Sequence, residues 1–361
     1  VYKSKYDYCL YEENSSKKFK IHRDLCLLLS TSGTTGSRKF VKLSYKNLLS
    51  NIKGIVESLN INKKDKTITT MPPEYSYGLS VINSHLFVGA KINLNNLTLF
   101  DRKFLESVTK LKITNLNGVP LFFDLIKKIN FFNKINCSNI KFITQAGGSL
   151  SKDTKLYILN EINKLKKDFY IMYGSTETSP RMSLVNFYKY QKIKQGCIGS
   201  PISDYKFRLN KKTGKIFFYG KNIFKGYSKN YKSLLYFKNY KFIDTGDIGK
   251  LDKDGFYYVT GRTKRIIKIS GERISLDEVE QSIKKNLKCN ICCFGIDDKL
   301  IIFHTKNHKN SFKILNFTSK NLSINKNYIK IYHIYKFPFS ERGKIDYEEL
   351  QRISKIDKKF H

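Results

Sequence analysis

Along the first two-thirds of the chain, short apolar runs alternate with stretches that carry helix start signals. Leu25-Cys26-Leu27-Leu28-Leu29 and Phe40-Val41-Lys42-Leu43 read as strands, with a polar, glycine-containing reversal between them. Ser44 stands where an N-cap is needed for a helix over 46–58. Residues 113–116 read as a strand, and Pro120 opens the next helix, because the first helical position needs no N–H. A strand over 140–143 runs into Ala146-Gly147-Gly148-Ser149, with Ser151 as the cap of the following helix. Another over 169–172 ends at Tyr173-Gly174-Ser175-Thr176-Glu177. Two strands thus end in polar glycine loops, and in α/β sheets ligands settle at such carboxyl ends.

From residue 196 the pattern changes to short alternating strands. Residues 205–209 and 215–219 flank the hairpin signal Lys211-Lys212-Thr213-Gly214, and Asp252-Lys253-Asp254-Gly255 is a second one. Beyond Arg262 the order is a strand over 266–269, a helix over 276–286, two strands up to His304, then a further helix and strand. The expected fold class is α/β. A large N-terminal domain of α/β layers over 1–260, with a β-rich subdomain at 196–260, precedes a small mobile α+β C-terminal lobe over 261–361.

Composition changes this picture little. With 361 residues and 40% hydrophobic content the chain can bury a core large enough for two domains. The formal charge of +37 invites a nucleic-acid reading, but the lysines are spread through every region instead of being gathered on one arm or helix face. They read as solvated faces, so no specific nucleic-acid partner is expected. The positive field attracts nucleotides, CoA or an acidic carrier protein at low salt. No membrane span is expected. Seven cysteines give an odd count, and Cys289, Cys292 and Cys293 read as core thiols because no second Cys or His pair lies at a zinc-like spacing. His304 and His308 read as surface or strand residues. A reducing cytoplasm fits this cysteine usage.

The reversal itself is Thr31-Ser32-Gly33-Thr34-Thr35-Gly36-Ser37-Arg38-Lys39. Gly33 and Gly36 let the backbone come close to an anion, hydroxyls and N–H groups supply donors, and Arg38 and Lys39 add charge. The chemistry suits phosphates, although the Walker A pattern is absent. By itself a Ser/Gly linker explains the loop equally well.

Five further motifs follow in order: Pro72-Pro73-Glu74-Tyr75-Ser76-Tyr77-Gly78-Leu79, Tyr173-Gly174-Ser175-Thr176-Glu177, Thr245-Gly246-Asp247, Gly261-Arg262-Thr263-Lys264-Arg265 and Gly343-Lys344-Ile345-Asp346. Each is weak alone. In this order they resemble the adenylate-forming superfamily of acyl- and aryl-CoA synthetases, luciferases and nonribosomal adenylation domains. The resemblance is nearest to acyl-CoA synthetase-like AMP-acid ligases. It implies ATP and Mg²⁺ as cofactors, a carboxylic acid substrate, and CoA or the phosphopantetheine arm of a carrier protein as acyl acceptor. Members carry a long segment before the phosphate loop, which here starts at residue 31, so the chain is expected to be a fragment lacking the start of the large domain.

The resemblance also implies roles. Thr31, Ser32, Gly33, Thr34, Thr35, Gly36 and Lys39 bind phosphates, Thr176 contacts a phosphate, and Glu177 holds the metal. Tyr173, Gly174 and Gly147 border the adenine, Asp247 takes the ribose hydroxyls, and Arg262 assists from the domain junction. Ala146, Gly147 and Gly148 flank the acyl site with Tyr75, which stands where many relatives have a histidine. Lys344 is the catalytic cation bridging carboxylate and α-phosphate. Lys264 is the hinge about which the small lobe turns, after which Gly271 borders the pantetheine tunnel and Arg273 contacts phosphate. The implied function is an acid–thiol ligase forming acyl-AMP and then a thioester. Its rivals are an adenylation protein serving a carrier protein in surface-polysaccharide or secondary metabolism, a nucleotide-binding remnant without turnover, and a basic nucleic-acid-binding protein.

Overall fold

The computed structural model describes residues 2–3, 9–10, 20–31, 39–190, 196–270, 272–296, 298–305, 307–339 and 345–354. Tyr2–Lys3 (β1) and Cys9–Leu10 (β2) form a short antiparallel pair. Leu25–Thr31 (β3) runs antiparallel to Lys39–Ser44 (β4), with Thr31 opposite Lys39, so the two apolar runs do reverse on each other. Tyr45–Leu59 (α1) starts at the expected cap: Ser44 accepts from the Asn47 N–H, and the Asn47 side chain accepts from the Ser44 N–H at 3.1 Å.

The central layer follows from alternating strands and helices. Lys66–Ile68 (β5), Ser76–Phe87 (α2), Lys91–Asn93 (β6), Arg102–Lys110 (α3), Asn115–Gly118 (β7), Pro120–Ile129 (α4), Phe142–Gln145 (β8), Lys152–Leu165 (α5) and Asp168–Tyr173 (β9) build a parallel sheet in the order β6-β5-β7-β8-β9. Both β7 and β8 begin two residues later than their apolar runs. Ile113 and Ile140 are each 1% exposed just before the ladders start, so hydrophobicity there marks burial and not pairing. Helix α2 carries no start signal of the kind that marks α1, α4 and α5, and Asp101 before α3 accepts from the Thr98 N–H and hydroxyl instead of capping the helix. The first buries Ser76, Ser80 and Ser84 beside Tyr77 and Val81, and the second is a charged segment that buries Phe104 and Val108.

Ser183–Asn186 (β10), Cys197–Pro201 (β11), Lys206–Leu209 (β12) and Lys215–Tyr219 (β13) follow, then Tyr227–Ser228 (β14), Ile243–Leu251 (β15) and Tyr257–Arg262 (β16). All of these except β14 continue the same sheet with antiparallel pairings, giving eleven strands in the order β12-β13-β15-β16-β11-β10-β9-β8-β7-β5-β6. The β14 strand instead pairs with β4. Ile266–Ile269 (β17), Glu272–Ser275 (β18), Leu276–Leu287 (α6), Ile291–Ile296 (β19), Lys299–His304 (β20), Asn310–Asn321 (α7), Ile329–His333 (β21) and Tyr347–Ile353 (α8) complete the chain, with β19, β20 and β21 in one small sheet. Ile267, Val279, Cys293, Ile302 and Ile314 belong to a core cluster of their own. The fold class is α/β.

Among the described residues no helix is long and apolar enough to cross a membrane. Cys26, Cys137, Cys197, Cys292 and Cys293 are in no disulfide, and no His, Cys, Asp and Glu group among the described residues has the arrangement of a metal site. His304 is fully buried in β20, bonded to Ser311 Oγ at 2.8 Å. Burial pushes the Cys137 thiol up to about 11, the Cys292 thiol up to about 12, and that of Cys293 well above its usual range. Since the thiolate is the nucleophile, iodoacetamide at pH 8 is expected to spare these three in the folded protein and to alkylate them in denaturant. Mass spectrometry showing rapid modification of native Cys293 would contradict their burial.

Candidate active site

The loops after β8 and β9 turn where glycine permits it. Gly147 has φ +87°, and a Cβ there would lie 2.5 Å from the Tyr75 hydroxyl, so only glycine lets that tyrosine rest on the loop. The Gln145 side chain donates to the Gly148 carbonyl at 2.7 Å and closes the turn around Ala146. A Cβ on Gly174 would fall 1.5 Å from the Pro180 carbonyl oxygen, which forces glycine at that point of the Tyr173–Glu177 motif. Ser175 then caps a short helical turn, Thr176–Thr178.

Asp247 and Arg262 meet because β15 and β16 place them directly opposite each other. Arg262 Nε donates to Asp247 Oδ1 at 2.9 Å, and the Tyr173 hydroxyl donates to Oδ2. Asp247 is 4% exposed, whereas most of the Arg262 side chain faces solvent. Burial, followed by the neighbouring Asp247 charge, holds the Tyr173 hydroxyl well above its usual pKa, so it remains a donor. Each Asp247 oxygen keeps a second lone pair, which suits a vicinal diol. Thr263 Oγ1 donates to the Gly246 carbonyl at 2.7 Å and ties this turn to the segment after β16.

Thr176 Oγ1 lies 3.3 Å from Ser76 Oγ at the start of α2. Glu177 faces the other way: its Oε1 accepts from the Tyr227 hydroxyl at 2.9 Å, and its carbonyl accepts from the Phe224 N–H at 2.9 Å. The ammonium of Lys39 sits 5.9 Å from the centre of the Tyr227 ring. Burial, then the Glu177 charge, pushes the Tyr227 hydroxyl above its ordinary range. Oε2 of Glu177 accepts no hydrogen bond among the described residues. A carboxylate oxygen left in this way is the donor a hard cation such as Mg²⁺ prefers.

Tyr75, Gly147, Tyr173, Thr176, Asp247 and Arg262 line one cleft of about 3030 Å³, whose far wall includes Asp277, Ile345 and Tyr347. Ser32, Gly33, Thr34, Thr35, Gly36, Gly271 and Lys344 lie outside the described residues. For Thr31, Lys264 and Arg273 the backbone alone is described: Thr31 ends β3, Lys264 lies in the turn Thr263–Arg265, and Arg273 is opposite Lys268 in the β17–β18 hairpin. Sequence reasoning missed Tyr227 and Arg181. The first reaches Glu177 through the long-range pairing of β14 with β4. The second is 2% exposed and lines the same cleft, where a lone arginine after a turn carries no local signal.

Fold and site together define an α/β protein with its candidate ligand cleft at the carboxyl edge of the parallel strands. Residues 6–228 match the AMP-binding enzyme family, and the chain belongs to it. It is similar to luciferin 4-monooxygenase of Photuris pensylvanica, at 25% identity over 93% of this chain and 66% of the relative. It is also similar to oxalate–CoA ligase of Arabidopsis thaliana, at 28% identity over 71% of this chain and 52% of the relative. The fold matches that of O-succinylbenzoate coenzyme A synthetase from Bacillus subtilis in complex with AMP, with a TM-score of 0.72 at 22% identity over 94% of this chain and 71% of that one. The chain spans about half to two-thirds of the length of the curated relatives it matches.

Proposed function

We propose that the protein is an AMP-forming acid–thiol ligase. A carboxylate oxygen attacks the α-phosphate of ATP, pyrophosphate leaves, and a thiol then displaces AMP from the acyl-adenylate to give a thioester. The observation that carries this reading is the convergence of Tyr173, Asp247 and Arg262 beside the Thr176 turn and the Gly147 loop, in one cleft. CoA is the favoured acceptor, since several of the similar proteins are CoA ligases, and the arm of a carrier protein offers the same thiol.

The chemistry requires bringing two anions together. Unit charges 4 Å apart repel by about 1 kcal/mol in water and about 4 kcal/mol at an effective dielectric of 20, so oriented donors and cations must offset the approach. Asp247 orients the nucleotide through its ribose hydroxyls, with its carboxylate held by Tyr173 and Arg262. The Thr176 hydroxyl donates to a phosphate, and Lys39 adds positive charge on the Tyr227 side of the turn. Mg²⁺, when bound, supplies further positive charge, and Glu177 is the residue that would hold it, through Oε2. Lys344 provides the mobile cation between carboxylate and α-phosphate. The small lobe over 261–361 turns about Lys264, which exchanges Lys344 for Gly271 and Arg273 in the thiolation step.

Asp247→Asn tests the nucleotide assignment. A hydrogen bond to a charged group is worth about 1.5–3 kcal/mol, so KM for ATP in acid-dependent pyrophosphate exchange is expected to rise about 10- to 100-fold with the fold retained. An unchanged KM would remove Asp247 from the ribose site.

A further inference from the structure

A buried guanidinium normally has a carboxylate beside it, because desolvation is compensated only by a paired charge and a full set of acceptors. Arg265 follows that rule, with Asp277 at 2.5 Å and Glu280 at 2.6 Å. Arg181 does not. It is 2% exposed, yet its Nε donates to the Ser80 hydroxyl at 3.1 Å, its Nη1 to the Met172 thioether at 3.2 Å, and its Cζ lies 4.9 Å from the centre of the Tyr77 ring. A hydroxyl, a thioether and a ring face occupy only part of the five N–H donors, the guanidinium opens on the cleft, and among the described residues no carboxylate pairs with it. Burial lowers its pKa to about 10, which keeps it cationic at neutral pH.

Its position says what the missing anion is. Tyr77 packs edge-on against Tyr75, with ring centres 6.4 Å apart, and Tyr75 rests on Gly147. Arg181 thereby adjoins the part of the cleft assigned to the acid, on the strand-end turn that also carries Thr176. We infer that Arg181 selects the substrate: the acid carries a second anionic group besides the carboxylate to be activated, a dicarboxylic acid being the simplest class, and that group pairs with the guanidinium. This rests on the acid-activating reading above. Tyr77, whose hydroxyl engages Thr144 Oγ1 at 2.6 Å, sets its ring against the guanidinium.

The test compares straight-chain dicarboxylic acids from succinate to suberate, and terephthalate, with the matching monocarboxylic acids. Binding is measured by calorimetry in the presence of a non-hydrolysable ATP analogue, and activation by pyrophosphate exchange. Wild-type protein is expected to prefer the best diacid over its monoacid about 10- to 100-fold, the range of one charged hydrogen-bonded pair. Arg181→Met should erase that preference, and Arg181→Lys should keep part of it. The inference is overturned if wild-type protein shows no diacid preference, a result that needs no variant to fold. It is equally overturned if folded Arg181→Met retains the preference, or loses monoacids and diacids alike, which would place Arg181 on the reacting carboxylate. Arg181-dependent diacid binding without exchange would sink the adenylation reading and leave this one standing, while exchange driven equally by monoacids would do the reverse.

Discussion

Replacing Lys344 with alanine is expected to slow acyl-adenylate formation by about 10²–10³, the usual cost of losing one preorganised charge-stabilising group. On the proposed turn of the small lobe, which would carry Lys344 away from the reacting atoms, thioester formation from a supplied acyl-adenylate should be largely spared. The flanking structure supports the assignment. Ile345, Asp346 and Tyr347 line the cleft, Ile345 pairs with Phe339, and Asp346 caps α8 by accepting from the Glu348 and Glu349 N–H groups. The chain directly after Lys344 is therefore anchored at the cleft wall. Arg273→Ala, or proline at Lys264, should give the opposite pattern, impairing thiolation more than adenylation. Pyrophosphate exchange measured beside single-turnover thiolation separates the two halves. Equal losses of both halves in all three variants would argue against domain alternation.

Glu177→Gln carries the second large effect. Glutamine keeps an oxygen to accept from the Tyr227 hydroxyl, so the turn at Thr176–Thr178 should stand, but the negative charge that attracts a hard cation is gone. Acid-dependent pyrophosphate exchange is expected to fall to background while the thermal midpoint stays close to that of the wild type. Unchanged exchange would take Glu177 out of the metal site.

Membership of the AMP-binding family was legible because its short motifs follow one another in an order that can be read along the chain. Helix starts were legible for a physical reason: Ser44, Pro120 and Ser151 act on backbone groups within a few residues, so their effect is written locally. What escaped depends on distant pairing or burial. Helix α2 is buried around small serines and shows no start signal, the edges of β7 and β8 are set by their neighbours, and Tyr227 meets Glu177 through the β14–β4 pairing. Arg181 is the extreme case. A single charged residue between Pro180 and Met182 looks solvent-facing in a chain with 67 lysines and arginines, and its burial appears once β9 and α2 close over it.

The most direct test of the central claim is the nucleotide product. The protein is incubated with ATP, Mg²⁺ and a panel of mono- and dicarboxylic acids, and nucleotides and pyrophosphate exchange are followed together. AMP and pyrophosphate are the expected products, with exchange that requires a particular acid and hydroxylamine trapping of the activated acyl group. ADP and inorganic phosphate as products, or AMP formed at the same rate whichever acid is present or absent, would contradict the claim.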